Sequence, residues 1–249
     1  MTTQFTTLIF VLFTIMSAGC IRINNIDNHS QTFLAQTFTT VIPTQANIEV
    51  LGSAAQFAVL GGSTVTNAGA STVTGSIGVS PGTAIAGTPI KQIDGEVHAG
   101  DPISLKAQND VITAYNSLTN QIGSINITGQ DLGGMILVPG VYKFNATCTL
   151  TTGILTLDGQ GNPNAKWIFQ IGSTLTTGLN TSVMMINGGS ALNVYWQVGS
   201  SATLLADSKI CGNIIAYASV TLGSLTELKG RAIARVGAVT LVANTVSIE

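Results

Sequence analysis

Five times in its second half the chain sets Thr-Leu among small residues: TCTLTTGIL from Thr147, GSTLTTGLNTS from Gly172, SSATLLADS from Ser200, ASVTLGSLT from Ala218 and GAVTLVANT from Gly237. Each copy follows an apolar segment (GVYKF from Gly140, KWIFQI from Lys166, NVYWQV from Asn193, NIIAY from Asn213, GRAIA from Gly230). Each precedes a polar turn and a third short segment: ILTLDG from Ile154, TSVMMING from Thr181, SKICGN from Ser208, TELKGR from Thr226 and NTVSI from Asn244. A unit of roughly 18 to 29 residues that repeats in this way cannot bury its apolar face alone and must stack on its neighbours. Three short strands per unit, each lying on the same strand of the next, make a β-solenoid. The run from Phe57 to Val79 has the same rhythm and reads as a further coil.

One segment departs from this texture. Between Gly100 and Gln121 there is no internal glycine, Asp101 is a good N-cap and Pro102 suits the first helical position. Ile103, Ala107, Val111, Tyr115, Leu118 and Ile122 recur every three or four residues and draw one apolar stripe. A helix over about 101–121 is predicted, roughly 30 Å long, inserted between the first coil and the rest. The first segment of each unit is apolar on both faces, so one face fills the solenoid and the helix covers the other. The predicted fold is mainly β, a solenoid of about six coils with one long α-helix packed alongside.

Strand alternation assigns the Thr-Leu segments. With Leu150, Leu175, Leu204, Leu222 and Leu241 inward, Thr149, Thr174, Thr203, Thr221 and Thr240 point outward as one rank, joined by Thr64 beside inward Val65. The position after the leucine also faces out, as Thr66, Thr151 and Thr176 in three coils and as Leu205, Gly223 and Val242 in the others. The face is flat, uncharged and studded with methyl and hydroxyl groups. A solvated solenoid face ordinarily carries Lys and Glu against aggregation; this one avoids them, and such a grid suits ordered water.

Composition narrows the function further. Charged residues are only 8% of the 249 and the formal net charge is −2, with the basic residues scattered singly, which excludes the clustered basic footprint of nucleic-acid binding. Asp158, Asp207 and Glu227 fall in different turns, so the coils offer no paired carboxylates for a polysaccharide-active enzyme. His98 with Asp94, Glu96 and Asp101 is the one ionisable cluster and reads as structure for the helix approach. No Cys or His spacing implies a metal site, and neither a cofactor nor a small-molecule substrate is expected. Cys148 and Cys211 read as small buried hydrophobes rather than a disulfide.

Residues 1–19 have the short apolar core and small-residue end of a secretory signal, with a lipoprotein-type site at Cys20 as the alternative. Residues 20–48 read as a linker or leader remnant, and 49–249 as the solenoid domain. The expected product is secreted. Sequons stand at Asn28, Asn126, Asn145 and Asn180, and a glycan on Asn180 would crowd the edge of the grid.

FAVLGGSTVTNAG from Phe57, TGSIGVSPGTAI from Thr74, LTLDGQGNPNAKWIFQIGSTLTT from Leu155, NVYWQVGSSATL from Asn193, GNIIAYASVTL from Gly212 and GRAIARVGAVTL from Gly230 closely resemble the large microbial and algal ice-binding protein family. The resemblance implies a discontinuous right-handed β-solenoid with a flanking helix, and a secreted antifreeze protein. Its partners would be the ice crystal surface and ordered water, and it would act as a monomer through the strand before the polar turn. Some members carry Thr-Ala/Gly-x-Thr/Asn in that turn. TGLN fits it, which adds Thr177 and Asn180 to the implied site; ADSK, SLTE and ANTV depart from it, with Lys209 and Glu227 at the rim, so moderate activity is expected. A non-catalytic surface adhesin or matrix protein is the alternative.

Overall fold

The computed structural model describes residues 50–248; the signal and linker segments expected over 1–48 lie outside the described residues. Every strand pair is parallel, as stacking of successive layers requires. The Thr-Leu strands form one seven-stranded sheet in the spatial order Cys148–Leu150, Leu175–Thr177, Ala202–Leu204, Val220–Leu222, Val239–Val242, Thr64–Ala68 and Ala84–Gly87. A fifteen-stranded sheet makes the other two faces. Lys209–Ala216 and Glu227–Ala234 run round the corner between those faces without a break. The bend falls at Gly212 (φ 116°) and Gly230 (φ 143°), where a Cβ on Gly230 would meet the Gly212 carbonyl oxygen at 2.0 Å, so only glycine fits.

The order of stacking is not the order of sequence. The coil read over residues 57–79 covers one layer and the first strand of a second; residues 57–93 make two layers, with Val97–Ala99 on the second, and the first sits on the C-terminal layer: Val65 pairs with Val239, Val59 with Ala232 and Val73 with Val246. The second layer, through Ser76–Val79, Ala84–Gly87 and Lys91–Ile93, lies outside the first. At the other end the stack finishes in the short strands Ile125–Asn126 and Ile136–Leu137.

The interior is filled by inward side chains from all three faces. One inward rank runs Tyr142, Phe169, Trp196, Ile214, Ala232, Val59 and Ile77 through successive layers. Phe169 and Trp196 stack at 4.0 Å between centroids, and Tyr142 and Phe169 at 5.6 Å. The taper follows layer length. The aromatic layers are 27 residues apart in sequence, from 142 to 169 to 196, whereas the next steps, to 214 and 232, are 18 residues. Longer layers enclose a wider cross-section that only aromatic rings fill. The two indoles also need acceptors, and Trp167 Nε1 donates to the Leu137 carbonyl (3.1 Å) and Trp196 Nε1 to that of Cys211 (3.0 Å).

Helix α1 spans Pro102–Thr119, with Asp101 as N-cap in a reciprocal capping box with Ser104. It covers the outward residues of the first face, and Ala107, Val111, Ala114, Tyr115 and Leu118 pack with Leu60, Ile168, Tyr195, Ile215 and Ile233 in a second apolar cluster. The expected stripe is trimmed at both ends. Ile103 is 45% exposed and Ile122, three residues past the helix end, is 91% exposed. Ser104 and Gln108 are buried in the stripe instead, because the buried face centres on Val111, from which 100° per residue sets 104 about 20° and 108 about 60° away but 103 about 80° away.

Polar bonds pin the helix along its length. Gln108 Nε2 donates to the Ala234 carbonyl (3.1 Å) and the Tyr115 hydroxyl to that of Val198 (3.2 Å). Gln170 Nε2 reaches the carbonyls of Leu118 (2.9 Å), Thr119 (3.1 Å) and Gln121 (2.9 Å), serving a helix C-terminus whose last carbonyls lack intrahelical partners. Asp110 accepts from the Ser53 amide (2.7 Å) and pairs with Lys106 (3.0 Å). The Ser53 hydroxyl and amide, then Lys106, hold its carboxyl down at about 2.

Replacing Gln170 by Ala removes its bonds to the buried Leu118 carbonyl and the part-buried Thr119 and Gln121 carbonyls and is expected to cost about 1–3 kcal/mol, read as a fall in thermal midpoint. Because the Asp110 value is depressed, its contribution is complete above the ordinary carboxylate value near ~4 and is lost as pH falls through about 2. Acid titration of the thermal midpoint should show this loss in the wild type and not in Asp110→Asn.

Candidate functional site

The register of the threonine sheet is set by its corners. In four successive layers the first strand and the threonine strand are joined at the same spacing. Phe144, Ile171, Val198 and Ala216 stand level, and four residues later so do Cys148, Leu175, Ala202 and Val220. The outward rank that results is Thr149, Thr176, Thr203, Thr221, Thr240 and Thr66, each hydrogen-bonded through its strand to the next. Six threonines stand in six consecutive layers, all half-buried, and Ala86 follows in the seventh.

Two assignments read from the repeated words are therefore displaced by two residues. Aligning TLTT with TLTT placed Thr174 in the main rank, but Thr176 stands beside Thr149 and Thr203; in the N-terminal layer Thr66, not Thr64, lies beside Thr240. Thr174 and Thr64 belong to a flanking rank with Thr147, Ser201, Ser219 and Ala238, in which the Thr147 and Thr174 hydroxyls lie 3.0 Å apart. Matching words misled because corner length, not wording, decides which residues oppose one another. The inward assignments of Leu150, Leu175, Leu204, Leu222, Leu241 and Val65 match the structure, where all are 2% exposed or less.

The same shift removes Thr177 from the surface. It is 3% exposed and fills the inward place between Leu150 and Leu204. Its Oγ1 accepts from the Leu205 amide (3.0 Å) and shares a hydrogen bond with the Ser208 hydroxyl (3.1 Å). Asn180 is exposed at the turn with φ 55°, a left-handed corner that Asp207 (59°), Leu225 (59°) and Ala243 (50°) repeat in later layers. The third outward rank, on this turn side, is Thr151, Gly178, Leu205, Gly223, Val242 and Ala68.

Behind each corner lies a polar ladder that the sequence reading missed. Thr181, Ser208, Thr226, Asn244 and Ser71 are all 1% exposed or less. Thr181 donates to the Gly178 carbonyl (3.1 Å), Ser208 (2.6 Å) and Thr226 (3.1 Å) to that of Leu205, and Asn244 to that of Gly223 (2.6 Å). A hydroxyl or amide directly after the left-handed residue was the available signal, since a turn beside an apolar core must have its carbonyls satisfied.

No strand of the threonine sheet carries a charged residue. Lys209 and Glu227, expected at its rim, stand on the adjoining face and pair with each other at 3.1 Å. Asp131 borders the sheet at one end through a bridge to Thr149. Burial raises its carboxyl, but hydrogen bonds from the amides of Gly133 and Thr151 and the hydroxyls of Thr149 and Thr151 outweigh this and hold it below the usual carboxylate range. His98 Nδ1 lies 2.7 Å from Asp101 and Nε2 3.4 Å from Glu96, which ties the helix cap to the last strand before it. Cys148 and Cys211 are free and buried on different sheets; burial pushes the Cys211 thiol up to about 12 and Cys148 higher still. Among the described residues no group of three potential ligands could hold a metal ion.

Residues 59–247 match the family model described as Ice-binding-like. The chain is 50% identical over 203 residues to the ice-binding protein of Nostoc sp. (strain HG1), covering 81% of this chain and 75% of that one. The crystal structure of an ice binding protein from an Antarctic biological consortium superposes with a TM-score of 0.77 at 38% identity, covering 91% of this chain and 96% of that chain. The ice-binding protein of the Antarctic ascomycete Antarctomyces psychrotrophicus gives a TM-score of 0.75 at 38% identity, covering 80% and 97%.

The shifted register has a direct test. Thr177→Val leaves the Leu205 amide without its acceptor and should cost about 1–3 kcal/mol. Thr176→Val, on the outward rank, should stay within about 0.5 kcal/mol of the wild type. Chemical denaturation of the two variants distinguishes this register from the one read by matching words.

Proposed function

The chain belongs to the ice-binding-like family, and on that premise we propose that it adsorbs to ice through the threonine sheet. The observation that carries this reading is the unbroken central rank of Thr149, Thr176, Thr203, Thr221, Thr240 and Thr66. Ladder hydrogen bonding sets its nodes ~4.8 Å apart, and alternate residues on each strand place the flanking ranks ~6.7 Å to either side. Each node offers a methyl to exclude disordered water and a hydroxyl to hold ordered water. The β-branched side chain is stiff at χ1, so little freedom is lost on docking. Neighbouring hydroxyls restrain one another further, as in the 3.2 Å bond from Thr66 to Thr240.

Adsorbed molecules pin the ice front, and growth between them is forced to curve, which lowers the local freezing point and slows recrystallisation. The turn-side rank carries Gly178, Leu205, Gly223, Val242 and Ala68 in place of threonine, so the regular lattice is about two ranks wide; that supports activity of moderate strength. Asn180 and Thr151 border the face, and Thr177 drops out of the implied site because it is buried. The role is adsorption without catalysis, as a secreted monomer whose residues 1–19 are removed.

Slow freezing of a dilute solution should draw the protein into the growing ice; exclusion into the residual liquid would refute the reading. Thr203→Tyr or Thr221→Tyr, at the centre of the rank, should abolish ice shaping seen by microscopy. The thermal midpoint should shift by less than about 0.5 kcal/mol in stability terms, because both side chains face outward.

A further inference from the structure

The central rank does not run out into open solvent at its first layer. Asp131 forms an isolated parallel bridge with Thr149, so it stands where a further layer would place the next threonine. Its Oδ1 accepts from the Gly133 amide (2.9 Å) and its Oδ2 from the Thr151 amide (2.9 Å), and the carboxyl lies one layer from Thr149. At the other end the rank finishes in Ala86, which is exposed and uncharged. The two ends are therefore chemically unlike.

Resting on the reading that this sheet adsorbs to ice, we propose that Asp131 ends the adsorbing face and withholds Thr149 and Thr151 from it, leaving the rank Thr176, Thr203, Thr221, Thr240 and Thr66 to hold the crystal. Two physical effects act together. Liquid water reorients around a carboxylate, whereas lattice water is fixed in direction, so ice laid over the charge leaves it poorly solvated. The carboxylate one layer away orients the Thr149 hydroxyl toward itself, so that it offers lattice water its lone pairs, whereas no charge on the sheet orients those of Thr203 and Thr221. Asp131 thus positions the boundary of the surface through the two threonines beside it.

Asparagine keeps Oδ1, which accepts from the Gly133 amide and also lies 3.2 Å from the Thr151 amide, and removes the charge; glutamate keeps the charge. Thermal hysteresis is measured at equal molar concentration for the wild type, Asp131→Asn, Asp131→Glu, Thr221→Tyr, Thr149→Tyr and the double variant Asp131→Asn/Thr149→Tyr, each with its thermal midpoint. Asp131→Asn should raise the hysteresis in proportion to adding one layer to a five-layer rank, and Asp131→Glu should not. Thr149→Tyr should cost little in the wild-type background and several-fold more in the Asp131→Asn background, a coupling that a purely structural aspartate would not produce. If Asp131→Asn lowers the thermal midpoint, the comparison between backgrounds still decides. Equal Thr149→Tyr penalties in both backgrounds, or an equal gain from Asn and Glu, would overturn the boundary role while leaving the ice face standing. A wild type without hysteresis, unchanged by Thr221→Tyr, would instead sink the ice reading itself.

Discussion

Parallel hydrogen bonding between layers is the constraint from which the rest of the molecule follows. It holds every layer ~4.8 Å from the next and obliges like positions to lie on like positions, so a residue's neighbours are chosen by register before its own chemistry matters. The inward rank from Tyr142 to Ile77 and the outward rank of threonines are two faces of this one rule. A flat surface comes from the backbone, and the side chains decorate a lattice that already exists.

The corners carry as much of the design as the faces. A four-residue spacing from the first strand to the threonine strand in four successive layers keeps the central rank straight even where layer length falls from 27 residues to 18. The difference is absorbed elsewhere, in the width of the core and in the turns backed by Thr181, Ser208, Thr226, Asn244 and Ser71. Aromatic rings fill the wide layers and Ala232 or Val59 the narrow ones. The helix closes the one face whose outward side chains are apolar, and Gln170, Tyr115 and Gln108 fix it there by bonding backbone groups.

Much of this could be read before any coordinates. Period-two alternation placed Leu150, Leu204, Leu222 and Leu241 inside, and the 3.6-residue stripe placed α1 with its cap at Asp101. What could not be read was anything that depends on pairing between strands far apart in sequence. Thr174 and Thr176 sit in the same words as Thr149 and Thr151, and only the four-residue corner shows that Thr176 is Thr149's neighbour. Thr177 looked like a surface turn residue because a buried hydroxyl with two partners has no local signature. Asp131 fell outside the repeat altogether, since a single bridge leaves no pattern. Resemblance supplied the partner, ice; strand alternation alone reaches only the grid.

Stacking out of sequence order gives the chain an unusual history. The layers built from residues 57–99 are synthesised first, yet the strands they lie on, Glu227–Ala234, Val239–Val242 and Thr245–Ser247, come last. Until then their inner edges are open, and the contacts that close them span more than 170 residues, as in the Thr66 to Thr240 bond. Such separation slows folding, because loop closure must precede its reward. The end of the chain is thus the keystone of the stack: the C-terminal layer lies between two blocks of earlier sequence, and each block gains its neighbour only when the final strands arrive.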